Sequence, residues 1–232
     1  MPSIATIGAG SSGLAAAHEL RDAGYAVTIF EQSQEVGGRV ATRVQQGFTY
    51  DYGAQYIKSG SSVSVSLITE RFRLPDLIDI AKPVWIFNRE GHIQEGDPVQ
   101  NAEPKWNYRS GLNALAKCMA QGLDIQLQTR IDYLQQSSTG WKLFDNLGHL
   151  IGEFDRVLIT IPASQAAELI KASQVLDIQR GEICVLLRMA SYNPLISVML
   201  GYRPVLFICN QAQLVGNSLI TWGILLASSI MY

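Results

Sequence analysis

Ile4-Ala-Thr-Ile-Gly8-Ala-Gly10-Ser-Ser-Gly13, carried on through Leu14 to Glu31, is the stretch that decides the fold. Ile4 to Ile7 reads as a short buried strand, Leu14 to Ala23 as a helix, and Ala26 to Phe30 as a second buried strand ending at Glu31. Gly8, Gly10 and Gly13 fill the spacing G-x-G-x-x-G between strand and helix. The first glycine permits a tight turn, the second lets backbone approach a pyrophosphate, and the third lets helix and strand pack closely. Free N–H groups and partial positive charge at the helix start suit phosphate. Glu31, at the tip of the second strand, can accept both hydroxyls of a ribose. A glycine-rich turn without a ligand is the plainer alternative. Strand, glycines, helix, strand and acid in this order outweigh it, because that context is what the motif requires.

Working outward, 232 residues suffice for a full core and one or two domains. A hydrophobic share of 47% excludes a disordered chain, and a net charge of −2 without a basic stripe excludes nucleic acid as the favoured ligand. Cys118, Cys184 and Cys209 have neither C-x-x-C nor metal-ligand spacing, so reduced thiols in a cytoplasmic protein are expected. His18, His92 and His149 are scattered, read as surface residues, and suggest no metal site. All 20 acidic residues lie at or before Glu182, and Leu214 to Tyr232 carries no charged side chain.

After Glu31 the chain reads Val36-Gly37-Gly38-Arg39. Paired glycines let backbone lie against a ligand, and Arg39 offers a fork of donors to a phosphate or carbonyl. Val40 to Val44 and Phe48 to Tyr50 read as a hairpin turned at Gln45-Gln46-Gly47. Asp51-Tyr-Gly53-Ala-Gln55-Tyr56 follows, with Asp51 expected to fix the loop around Gly53. Ser61 to Phe72 reads as a helix. Pro83 to Phe87 and His92-Ile93 read as a hairpin in which Trp85 and Phe87 pack. Lys105 to Tyr108 is expected as a strand and Leu112 to Met119 as a helix ended by Gly122. Ile125 to Leu127, Ile131 to Leu134 and Trp141 to Phe144 read as strands. Arg156 to Pro162 reads as a fully buried parallel strand, Ala163 to Ala172 as a helix, and Gly181 to Met189 as one more strand.

Gly8 to Gly13, Glu31, Gly37-Gly38-Arg39 and Asp51-x-Gly53-Ala54-Gln55-Tyr56 together resemble the FAD-dependent amine oxidase superfamily, and within it the renalase-like branch. The resemblance covers roughly residues 1 to 200, judged by motif order. It implies FAD as the cofactor, because a plain NAD dehydrogenase lacks the Gly37-Gly38-Arg39 element. It implies that Gly8, Gly10, Ser12 and Gly13 hold the pyrophosphate, and that Glu31 holds the adenine-side ribose. By the same resemblance Arg39 lies by the phosphates and flavin, Gln55 and Tyr56 lie near the isoalloxazine ring, and Ile131 marks a backbone contact on the adenine side. On the residues alone, Gln55 and Tyr56 suit substrate orientation and simple packing equally.

The expected fold is α/β: a three-layer, Rossmann-like FAD-binding domain interrupted by a smaller α+β substrate domain. The division expected is 1–56 and 110–172 for the dinucleotide domain, 57–109 and 173–202 for a partial substrate domain, and 203–232 for an atypical apolar tail. By resemblance a Gly-Asp element near the flavin should follow, and none occurs after Gly96-Asp97. The tail therefore reads first as an altered or truncated C-terminus. It reads second as buried strands at Val205 to Cys209 and Leu219 to Ile224. A membrane anchor is the least favoured reading, because Leu214 to Tyr232 barely reaches the ~20 residues a span needs. The function implied is an FAD-dependent oxidoreductase taking hydride from an amine or dihydronicotinamide-type small molecule, with oxygen as acceptor. The alternative is a truncated, catalytically silent dinucleotide-binding relative. No catalytic side chain is assigned.

Overall fold

The unbroken apolar run at the N-terminus becomes the centre of a parallel sheet. The computed structural model describes residues 1–59, 65–175, 177–193, 196–199 and 223–226. Strand β1 (Ser3–Ile7) leads through the helix Ser11–Asp22 to β2 (Ala26–Phe30). A hairpin follows, β3 (Thr42–Gln45) with β4 (Phe48–Asp51). Next come β5 (Ile57–Lys58), a π-helical turn Leu67–Arg71, and β6 (Leu77–Asp79). A second hairpin pairs β7 (Trp85–Phe87) with β8 (Ile93–Glu95), and the short helix Pro98–Ala102 precedes β9 (Lys105–Tyr108). The helix Asn113–Ala120 returns the chain to β10 (Asp124–Gln126). A meander of β11 (Tyr133–Gln136), β12 (Trp141–Phe144) and β13 (Leu150–Phe154) leads into β14 (Arg156–Ile159). The helices Ala163–Ala172 and Asp177–Arg188 follow, and β15 (Ile196–Met199) pairs antiparallel with β16 (Gly223–Leu226).

The main sheet has the order β10-β2-β1-β14 and is parallel throughout. The chain builds outward from β1 to β2 and β10, then crosses back to place β14 on the other side of β1. That reversal opens a crevice beyond the carboxyl ends of β1 and β14, where doubly wound sheets bind their ligands. Successive residues serve opposite layers, as strand geometry dictates. Ile29 packs with Leu14, Ala17, Leu115 and Met119 under the helices Ser11–Asp22 and Asn113–Ala120. Its neighbour Phe30 packs with Ala5, Ile7, Leu134, Leu143 and Leu169 under the meander and the helix Ala163–Ala172. The fold is thus the expected three-layer α/β arrangement. A smaller antiparallel sheet, β5-β9-β6, stands beside it. Its strand β9 buries Tyr108 into the helix-side core, and burial pushes the phenol up to about 12.

Several expectations are corrected. His18 is buried, not a surface residue: its Nε2 donates to the Met119 carbonyl at 2.7 Å, and Arg21 donates to its Nδ1 at 3.1 Å. It shares a helix face with Leu14, four residues back, and that face meets the Asn113–Ala120 helix. Residues 181 to 189 are not a strand but the end of the Asp177–Arg188 helix and the turn after it. Ile183, Cys184 and Val185 favour strand locally, but docking on the Ala163–Ala172 helix overrides that preference, with Cys184 Sγ lying 3.8 Å from the Ala167 carbonyl. Strand β14 is parallel as expected but not fully buried. Among the described residues it is an edge, bonded to β1 alone, and no residue from Arg156 to Ile159 is fully covered. Trp85 and Phe87 do not pack inside; each is close to half exposed among the described residues.

The expected helix over 61–72 is described only from residue 65, and it becomes the Leu67–Arg71 π-turn. The expected strand Val205 to Cys209 lies outside the described residues. Of the expected strand Leu219 to Ile224, the last two residues open β16. Among the described residues no helix is long and apolar enough to cross a membrane.

Candidate functional site

The glycines of the first turn do separate jobs. Gly8 takes φ +105°, a conformation open mainly to glycine, and its N–H donates to the Phe30 carbonyl at 2.8 Å. Gly13 lies hard against this turn. A Cβ there would stand 2.0 Å from the Gly8 carbonyl oxygen and 2.7 Å from Thr160 Oγ1. The Thr160 hydroxyl holds the same turn from the other side, within 2.9 Å of the Ile7 carbonyl and 3.0 Å of that of Gly8. Gly10 differs from both: a Cβ there would meet nothing within 4 Å. It caps the Ser11–Asp22 helix with no side-chain hydrogen bond and with no acid in the first turn. The first-turn N–H groups, Ser12 among them, therefore keep their partial positive charge without a capping side chain or an acid in the first turn.

Glu31 closes one end of this space. It is buried, and Oε2 accepts the Ala9 N–H at 2.8 Å while Oε1 accepts that of Ser33 at 2.9 Å. Each carboxylate oxygen keeps a lone pair for a further donor. Ile131 is buried nearby, packed with Phe30 at the end of a segment that crosses the strand tip, where the Thr129 N–H donates to the Glu31 carbonyl at 2.9 Å.

The second glycine pair lies over the first turn. The Gly37 N–H donates to the Ala9 carbonyl at 2.9 Å, and Gly37 bridges Gly10 in parallel sense. Gly38 comes so near Gly10 that a Cβ would stand 3.3 Å from the Gly10 Cα. Arg39 is exposed, and among the described residues its guanidinium has no partner. The backbone of Arg39 is held instead. Its carbonyl accepts the Ala54 N–H at 2.9 Å, and Gly53 lies so close that a Cβ would stand 2.1 Å from that oxygen. This contact brings the 53–56 segment beside Arg39. Gln55 and Tyr56 are half-buried; the Gln55 carbonyl accepts from Asn107 Nδ2 at 2.8 Å, and Tyr56 lines a cavity of about 110 Å³ with Lys58, Ile86 and Lys105.

The structure thus gathers Gly8, Gly10, Gly13, Glu31, Gly37 and Gly38 around one opening, with Arg39 at its rim and Ile131 behind Glu31. Asp51 has a different task from the one expected. It accepts from Thr42 Oγ1, from the Leu112 N–H at 2.9 Å and from Asn107 Nδ2 at 2.9 Å, so it ties the hairpin to a helix and to β9 rather than fixing the Gly53 loop. Thr42, Asn107, Asn113 and Thr160 are supporting residues that the motifs do not reveal. Apart from the Thr42–Asp51 bond across one hairpin and the Tyr108 N–H on Asn107, their partners lie dozens of positions away, and no local spacing announces them.

A model of NAD(P)-binding Rossmann-like domains matches residues 6–69, and one of flavin-containing amine oxidoreductases matches residues 83–224. The second match takes in more than half of the chain. The chain belongs to the flavin-containing amine oxidoreductase family. The 4,4'-diapophytoene desaturase (4,4'-diaponeurosporene-forming) of Staphylococcus haemolyticus (strain JCSC1435) is 36% identical over 85 residues, 37% of this chain and 17% of that protein. The protein of the same description from Staphylococcus aureus (strain Newman) is 52% identical over 50 residues, 22% of this chain and 10% of that one. Among solved structures, a triple mutant of putrescine oxidase superposes with a TM-score of 0.65 at 14% identity, over 84% of this chain and 65% of that one. A CLA-producing fatty acid isomerase from P. acnes gives 0.61 at 16% identity, over 78% and 63%. The chain spans less than two thirds of each of these relatives, and the superpositions show the fold.

FAD is the cofactor of the flavin-containing amine oxidoreductases, and the residues present fit it. The clearance at Gly10, where a Cβ would meet nothing within 4 Å, suits the close approach of a pyrophosphate to the backbone. The helix start offers it N–H donors, and the spare acceptor capacity of Glu31 matches two ribose hydroxyls.

Proposed function

We propose that this chain is an FAD-dependent oxidoreductase acting on an amine or a dihydronicotinamide-type small molecule. The observation that carries the reading is the open wedge above Gly10, bounded by the helix start, by Gly38 and by buried Glu31. In this reading Gly8, Gly10, Ser12 and Gly13 form the pyrophosphate cradle, Glu31 holds the adenine-side ribose, and Ile131 backs it. Gly37 and Gly38 cover the cradle, Arg39 offsets phosphate charge, and Gln55 and Tyr56 flank the ring and orient substrate. FAD, when bound, supplies a two-electron acceptor for hydride from a C–H beside nitrogen, and oxygen is the terminal acceptor we infer. The transfer needs no protein base, and none is assigned. The chain's part is to bind, orient and exclude water. The same proposal divides the chain into a dinucleotide domain of 1–56 and 110–172, a partial substrate domain of 57–109 and 173–202, and a tail from 203. It places the protein in a reducing cytoplasm, in keeping with the free thiols of Cys118 and Cys184.

Two experiments test this. Anaerobic addition of an amine or a dihydronicotinamide to the FAD-loaded protein should bleach the flavin absorption; FAD that binds and is reduced by neither would favour the silent dinucleotide-binding alternative. Glu31→Gln turns two charge-assisted hydroxyl contacts into neutral ones, each weaker by about 1 kcal/mol. Flavin-fluorescence titration should show affinity lower by roughly thirtyfold or more. An unchanged affinity would remove Glu31 from the site.

A further inference from the structure

The two segments placed beside the flavin, 35–39 and 53–56, are joined by one continuous chain of hydrogen bonds. At one end Asn107 Nδ2 donates both to the Gln55 carbonyl at 2.8 Å and to Asp51 Oδ2 at 2.9 Å. The other oxygen of Asp51 accepts the Thr42 hydroxyl. Thr42 Oγ1 in turn accepts the Asn113 N–H at 2.9 Å. Asn113 Nδ2 then donates to Glu35 Oε2 at 3.1 Å, and Lys117, one turn further along the helix, holds the same oxygen at 3.1 Å. Asn113 is buried, and its Oδ1, which has no hydrogen-bond partner among the described residues, backs directly onto Gly37: a Cβ at Gly37 would stand 2.9 Å from it. The chain therefore starts at Gln55 and ends under the loop that carries Arg39.

We propose that Thr42, Asp51, Asn107 and Asn113 are positioning residues that lock the Arg39 loop and the Gln55-Tyr56 segment into one fixed spacing. Thr42 is the side-chain link between the two halves, and it works beside two direct bonds, the Leu112 N–H on Asp51 and the Ala54 N–H on the Arg39 carbonyl. Its hydroxyl is donor to one side and acceptor from the other, so it transmits the position of Asp51 to Asn113. Polar groups bonded in series polarise and rigidify one another, so losing the Thr42 hydroxyl loosens the spacing that the Leu112–Asp51 and Ala54–Arg39 bonds alone then hold. The proposal rests on the flavin-binding reading only for its consequence; the coupling itself is a property of the chain without ligand.

The test uses the full chain with Thr42→Val and Thr42→Ser. Valine keeps the shape and the γ-methyl that packs on Gly111 but lacks the hydroxyl. Serine keeps the hydroxyl. The first readout, without FAD, is the rate of tryptic cleavage after Arg39, with cleavage after Arg130 as the internal control. Thr42→Val should speed cleavage after Arg39 several-fold and leave Arg130 unchanged, while Thr42→Ser stays near the parent rate. The second readout is FAD affinity, expected to fall about tenfold in Thr42→Val, the loss of a hydrogen bond to a charged group. It should be largely kept in Thr42→Ser. Parent-like cleavage after Arg39 in Thr42→Val overturns the proposal, as does a Thr42→Ser protein as loose as Thr42→Val. If the parent chain binds no FAD, the function proposed above fails, and the cleavage rates still decide the coupling.

Discussion

Replacing Gly13 by alanine is expected to lower stability by about 3 kcal/mol, a large share of the roughly 5–15 kcal/mol that typically holds a domain folded. The added methyl would stand 2.0 Å from the Gly8 carbonyl oxygen, well inside contact distance. Neither side can give way cheaply. Gly8 is pinned by its hydrogen bond to Phe30 and by the Thr160 hydroxyl. The helix that carries Gly13 is pinned by Leu14 and Ala17, both wholly buried against the sheet. Relief requires lifting that helix away from β1, which opens the helix-side core. Urea unfolding followed by circular dichroism should show a sharply lower midpoint, or soluble protein should fail to accumulate. A midpoint equal to that of the parent would contradict the close approach.

Replacing Gly10 by serine should have the opposite profile. The position has φ −73° and ψ 173°, extended backbone that any residue adopts, and a Cβ there meets nothing. Serine is also a better helix N-cap than glycine, by a few tenths of a kcal/mol, because its hydroxyl can accept a first-turn N–H. Stability of the ligand-free protein should hold or rise slightly. The same side chain occupies the wedge assigned to the pyrophosphate and competes for its donors. FAD affinity should fall by roughly a hundredfold, about 2.7 kcal/mol. The two glycines are three residues apart in one motif, yet one is closed in by its neighbours and the other is left open. A Gly10→Ser protein that binds FAD as the parent does would move the pyrophosphate elsewhere.

The close packing at Gly13 and the clearance at Gly10 were legible in the sequence because G-x-G-x-x-G imposes its geometry locally. The Lys105–Tyr108 strand and the Ala163–Ala172 helix were legible for similar reasons, each being bounded by its own turn or proline. What escaped depended on distant partners. His18 reads as polar surface until its helix face is laid against Met119, 101 residues on. Gly181 and the β-branched residues after it read as strand, and only the neighbouring helix makes them helical. Asp51 reads as a local loop fixer, since nothing near it in sequence points to Asn107 or Leu112. The open crevice was foreseeable from the motif; the hydrogen-bonded chain beneath it was not, because each link joins a different element.

The most direct test of the central claim is the visible absorption spectrum of the purified full chain after mixing with FAD and removing the excess. The account predicts an oxidised-flavin spectrum that stays with the protein and is lost in Gly10→Ser. A parent protein shown to be folded by circular dichroism that retains no flavin would contradict it.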